Sequence, residues 1–169
     1  NVLAGIAAAR VFGIPPGELR EAVAALAPAP MRGERFSRNG ITIYNDTYNA
    51  NPDAVREMLD VLRGTPARRR IAVLGEMLEL GRWSEPLHRG IGRHAAESGI
   101  TVLVGIRGAA RFLVDEARQA GLTAGAAYFF DDPLQAGEFL RQLATEGDAI
   151  LFKGSRGTRV ELALERFLA

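Results

Sequence analysis

Three short stretches concentrate the side chains of this sequence that could bind a polar ligand. Asn45-Asp46-Thr47-Tyr48-Asn49-Ala50-Asn51-Pro52 crowds one carboxylate, one phenol and three amides into a turn. Amides and carboxylates suit sugar hydroxyls and the edge of a base, and a following helix N-terminus suits an anion. Asn51 before Pro52 also reads as a plain helix cap, but a cap does not need Asp46, Tyr48 and Asn49 beside it. Gly75-Glu76-Met77-Leu78-Glu79-Leu80-Gly81 sets two acids three apart, a pairing that suits a metal or an amine. The apolar residues between them point instead to a packed loop. Lys153-Gly154-Ser155-Arg156-Gly157, with Glu161 shortly after, joins two cations to a hydroxyl ahead of a helix. That combination suits phosphate or carboxylate, and its alternative is a solvated strand-to-helix turn.

Several chemistries have no support. The sequence lacks Gly-x-x-x-x-Gly-Lys-Ser/Thr, Gly-x-Gly-x-x-Gly and Gly-x-Ser-x-Gly, which argues against a P-loop, a dinucleotide fingerprint and a serine-hydrolase elbow within it. Zero cysteines leave no disulfide or thiolate metal site, and two histidines, His88 and His94, lie six apart on one helix, a spacing unsuited to a shared metal. A net charge of +1 gives no strong pull toward nucleic acid or anionic lipid, and no apolar run approaches a membrane span. Arg68-Arg69-Arg70 reads as a solvated surface before a strand. Of the 21 basic residues only Lys153 is lysine, which singles out that position.

The elements that would position these groups are legible. An apolar helix runs from Val2 to Phe12 and ends at Gly13, a second follows Pro15-Pro16, and Pro28 to Pro30 mark a boundary. A hairpin is expected with arms Arg35 to Ser37 and Ile41 to Asn45 around Asn39-Gly40. Strands at 71–74, 101–104, 127–130 and 149–152 then alternate with amphipathic helices, the first capped by Asn51, others by Ser84 and Asp132. Short, wholly apolar strands between helices imply a Rossmann-like, doubly wound α/β sheet, mostly parallel and covered on both faces. In such a sheet ligands sit at the carboxyl ends of the strands, where all three polar stretches fall.

In this order and spacing, the three stretches resemble those of the Mur ligases, within them the branch that joins D-alanyl-D-alanine to UDP-MurNAc-tripeptide. The resemblance implies an ATP- and Mg²⁺-dependent amide ligase of bacterial cytoplasm, acting in peptidoglycan precursor synthesis through an acyl phosphate. It implies that residues 1–29 are the last helices of a central ATPase domain and 30–169 the C-terminal domain. The remaining N-terminal and central domains, with P-loop and metal ligands, would lie outside a chain that starts at Asn1 without methionine. Asn1, Arg32, Asp46, Tyr48 and Asn49 then match nucleotide-binding positions. Asn51, Glu79, Lys153, Ser155, Arg156 and Glu161 fall where related ligases recognise the incoming amine substrate, with Glu79 or Glu161 for its ammonium end. No catalytic group, metal ligand, nucleic acid or membrane is implied for this stretch, which is expected to be inactive alone. The chain departs from the family's usual Gly at Met31, Asp at Glu76 and Ser-Met at Ala54-Val55. Another Mur or folylpolyglutamate-type ligase, or a non-catalytic nucleotide-binding module, would share the same sheet.

Overall fold

A computed structural model describes residues 2–27 and 29–169. Two short helices, α1 (Val2–Val11) and α2 (Arg20–Ala24), come first, with a 3-10 turn at Pro16–Leu19 leading into α2. Strands β1 (Glu34–Arg38) and β2 (Ile41–Asp46) form the expected hairpin. Asn39 and Gly40 both take positive φ, the backbone a two-residue turn demands. There follow α3 (Pro52–Gly64), β3 (Arg70–Gly75), α4 (Ser84–Glu97), β4 (Val102–Ile106) and α5 (Ala110–Gln119). The chain closes with β5 (Ala127–Phe130), α6 (Pro133–Leu143), β6 (Ala149–Lys153) and α7 (Glu161–Leu168).

The strands form one sheet in the order β1-β2-β6-β3-β4-β5, parallel except for the β1–β2 hairpin. Strand side chains alternate between its two faces. Tyr44, Leu74, Leu103 and Leu151 pack with Leu59, Leu62, Ile91 and Leu113 of α3, α4 and α5. Ile43, Val73, Val104 and Phe152 pack on the other side with Leu140 of α6 and Leu164 of α7. The helix that follows β6 therefore covers the face opposite to those that follow β2 and β3. This divergence opens the carboxyl ends of the three neighbouring strands.

The caps follow the expected pattern at α3 and α6: Asn51 Oδ1 accepts from Ala54 N at 2.9 Å and Asp132 Oδ1 from Leu134 N at 2.9 Å. Ser84 is not a cap, because a 3-10 turn at Gly81–Trp83 runs straight into α4 and leaves no extended residue there. The Arg68-Arg69-Arg70 run is also not simply a solvated surface. Arg69 reaches both oxygens of the fully buried Asp148 side chain, at 2.9 and 2.6 Å, and also donates to the carbonyl of Leu143, tying β3 to the entry of β6. Helices α1 and α2 bury no side chain, and Leu3, Val11 and Phe12 are each more than four-fifths exposed. Among the described residues no helix is long and apolar enough to cross a membrane.

Two features fix the strand ends. Gly75 and Gly154 face each other across β3 and β6 under Val160 and Thr158. A Cβ on Gly154 would run into Val160, stand 2.8 Å from Thr158 Oγ1 and 3.2 Å from Gly75 Cα, so this glycine serves close packing. Gly154→Ala should cost about 1–3 kcal/mol in denaturant unfolding. Gly64→Ala, at a site open to 4 Å, should cost nothing, and equal effects would refute the packing argument.

His88, wholly buried on α4, donates from Nδ1 to the Ser84 carbonyl at 2.7 Å and accepts the Met77 N–H at Nε2 at 2.9 Å. It must be neutral to accept that bond, and burial pushes its pKa below the ordinary 6.5. The unfolded chain then binds this proton more readily than the folded one. Stability from His88 is full above about pH 6.5 and is lost as pH falls from there toward the lowered folded value. Denaturation midpoints between pH 7.5 and 5 should fall in the wild type, and His88→Gln should flatten that slope.

Candidate functional site

The register of two parallel strands builds the centre of the site. Asp46, last residue of β2, is the direct partner of Lys153, last residue of β6. Both continue the side-chain row of Tyr44 and Leu151, so both point to the α3 side. Lys153 Nζ donates to Asp46 Oδ2 at 2.5 Å and to the Asn49 carbonyl at 2.9 Å, with only 3% of the side chain exposed. Above the pair lies a cavity of about 360 Å³ lined by Arg32, Gly33, Asp46, Tyr48, Asn49, Asn51, Ala54 and Lys153. The Arg32 guanidinium lies over the Tyr48 ring, 3.8 Å from its centroid, and among the described residues pairs with no carboxylate. Stacking holds the guanidinium plane while leaving its N–H edges for an anion. An exposed guanidinium at the rim, a carboxylate at the floor and amides on the wall suit a ligand that is anionic at one end and hydroxylated at the other.

A second cavity, of about 300 Å³, lies on the far side of the 49–51 segment. Its lining is Asn49, Ala50, Asn51, Leu78, Glu79, Leu80, Ser155, Arg156 and Gly157. A cation (Arg156) and an acid (Glu79) on one small cavity match the two ends of a zwitterion. Glu79 holds φ of +65°, a strained backbone for a residue with a side chain. The loop bearing it is pinned on both sides: His88 takes the Met77 N–H and Ser155 Oγ the Leu78 N–H at 2.9 Å. The same Ser155 hydroxyl donates to the Ala50 carbonyl at 3.2 Å. Glu76 lines neither cavity; its carboxylate accepts from Ala109 N at 3.1 Å, at the start of α5.

The structure thus gathers the expected site residues in two adjoining groups. Arg32, Asp46, Tyr48 and Lys153 share the first cavity, and Asn49 and Asn51 border both. Lys153 lines the cavity of Arg32 and Asp46 rather than that of Ser155 and Arg156. Glu161 turns to the opposite face, into a third cavity with Met31, Glu34 and Asn45, where Arg156 meets it at 3.3 Å. Asn1 lies outside the described residues. Sequence reading passed over Glu34, whose carboxylate receives Met31 N at 2.9 Å and Asn45 Nδ2 at 2.6 Å. The hairpin turn carried that signal, since closing it at Asn39-Gly40 sets Glu34 opposite Asn45. Met31 itself stands at φ of +63°, a conformation that glycine adopts without steric cost.

Residues 31–156 match the family profile described as Mur ligase, glutamate ligase domain. The UDP-N-acetylmuramoyl-tripeptide–D-alanyl-D-alanine ligase of Bacillus subtilis is 30% identical over 165 residues, 95% of this chain and 35% of the relative. The ligase of the same name from Mycobacterium leprae is 32% identical over 175 residues, 92% of this chain and 33% of its own. The crystal structure of MurF ligase from Thermotoga maritima in complex with ADP superposes with a TM-score of 0.79 at 27% identity, over 98% of this chain and 36% of that one. The chain spans about a third of the length of these relatives. With the profile covering most of its length and the sheet matching throughout, the chain belongs to the Mur ligase family.

Proposed function

We propose that this chain is the C-terminal part of a ligase that joins D-alanyl-D-alanine to UDP-MurNAc-tripeptide at the expense of ATP. The observation that carries the reading is the convergence of Arg32, Asp46 and Lys153 on one cavity at the carboxyl ends of β2 and β6, in a fold shared with an ADP-bound relative. The cavity's chemistry fits a nucleotide: Arg32 for phosphate oxygens, Asp46 for ribose hydroxyls, Tyr48 and Asn49 flanking. The second cavity fits the dipeptide, with Arg156 toward its carboxylate and Glu79 toward its ammonium. Among the described residues no three His, Cys, Asp or Glu gather as a metal site, and the proposal assigns Mg²⁺ to the rest of the parent protein.

In this reading residues 1–29 complete a central ATPase domain, whose remainder covers the apolar groove between α1 and α2. The sheet domain closes over the nucleotide and presents the amine to the activated tripeptide carboxylate. Positioning of this kind can supply roughly 7–11 kcal/mol of a barrier, so a domain without a reacting group of its own can be essential. Bacterial cytoplasm, where the UDP-linked precursor would be made, is the location the reading implies.

In the full-length protein, ADP release should require both UDP-MurNAc-tripeptide and D-alanyl-D-alanine, and residues 1–169 alone should turn over no ATP. Release driven by a free amino acid but not by the dipeptide would assign the chain to another Mur or folylpolyglutamate-type ligase. Tight ATP binding by residues 1–169 without any ligation by the whole protein would favour a non-catalytic module. Arg32→Ala should raise the ATP KM by about tenfold or more, the worth of one charge-assisted phosphate contact, with the dipeptide KM less affected.

A further inference from the structure

The segment Asn49–Asn51 stands between the two cavities, and Asn49 and Asn51 line both. Three consecutive residues of this wall are held from three sides. The Asn49 carbonyl accepts from Lys153 Nζ, the Ala50 carbonyl from Ser155 Oγ, and the Asn51 side chain caps α3. Lys153 and Ser155 lie two apart in extended chain, so their side chains leave the backbone on one side and reach neighbouring carbonyls. Gly154 between them is locked against Gly75 and beneath Val160, which denies the pair room to slide. Each holder has a second bond that leads to a different cavity. Lys153 also binds Asp46 on the floor of the first, and Ser155 also receives Leu78 N–H beside Glu79 in the second.

We propose that Asn49–Asn51 is a common wall between the nucleotide and amine sites, and that Lys153 and Ser155 are positioning residues that hold it, so that filling one cavity is felt in the other. The inference rests on the nucleotide and dipeptide assignments above. A ligand that draws Asp46 or Asn49 toward it loads the bonds that set Leu78 and Glu79, and the coupling must be reciprocal. Neither Lys153 nor Ser155 has to touch the dipeptide for this.

The test uses the full-length protein. Ser155→Ala removes the hydroxyl common to Ala50 and Leu78 while leaving Arg156 and Glu79 in place. It should raise the KM for ATP and for D-alanyl-D-alanine together, each by about 3- to 10-fold, as the loss of modest hydrogen bonds predicts. A rise in only one KM, or a loss of thermal stability with both KM values unchanged, overturns the proposal. A second measurement needs no variant. In the wild type, a non-hydrolysable ATP analogue alone should slow amide hydrogen exchange at Leu78–Leu80, across the wall from the nucleotide, and unchanged exchange there overturns the proposal. A protein that binds neither the analogue nor the dipeptide defeats the functional reading first, and the wall with it.

Discussion

The arrangement depends on one ion pair, Lys153 with Asp46, made between the last residues of two parallel strands that are far apart in sequence. Taking an ammonium almost wholly out of water is costly, and the pair is tolerable because the geometry is close and Asn49 supplies a further acceptor. Removing one partner would leave a buried charge uncompensated, which typically costs about 3–5 kcal/mol. The pair therefore does more than fill space. It fixes where β2 ends and directs the chain that follows into the wall of the site.

Everything that makes the pair possible is a property of the sheet. β6 is inserted between β2 and β3, and its outgoing helix covers the opposite face from theirs. Three strand ends diverge there, and the loops after them carry the polar groups. Gly75 and Gly154 let β3 and β6 end side by side under Val160, a contact that side chains at those positions would prevent. The same divergence separates Glu161, on the far face with Glu34 and Asn45, from the two cavities on the α3 side.

Much of this was legible in the residues themselves. Apolar runs of strand length, turn pairs such as Asn39-Gly40 and caps such as Asn51 are local signals, and local signals produced the alternating sheet and the hairpin register. The three polar stretches could be placed at strand ends for the same reason. Which groups face each other was not legible, because that depends on strand order and register over more than a hundred residues. Lys153 looked like a free cation for a ligand until β6 was set beside β2. Arg69 looked solvated until Asp148 was brought beneath it. Ser84 looked like a cap because nothing local distinguishes a helix start from a 3-10 turn continuing into one. The glycine usual at the position of Met31 has a physical sense only once the left-handed backbone is seen.

The chain's basic residues are arginine with one exception, and that exception is buried. Reagents that acylate amines, whether dyes, cross-linkers or acetyl donors, find in this sheet a lone ε-amino group sealed beneath its own counter-ion. Surface labelling of the folded domain through lysine is thereby denied. Any adduct that does form at that nitrogen records an excursion in which the ends of β2 and β6 have come apart.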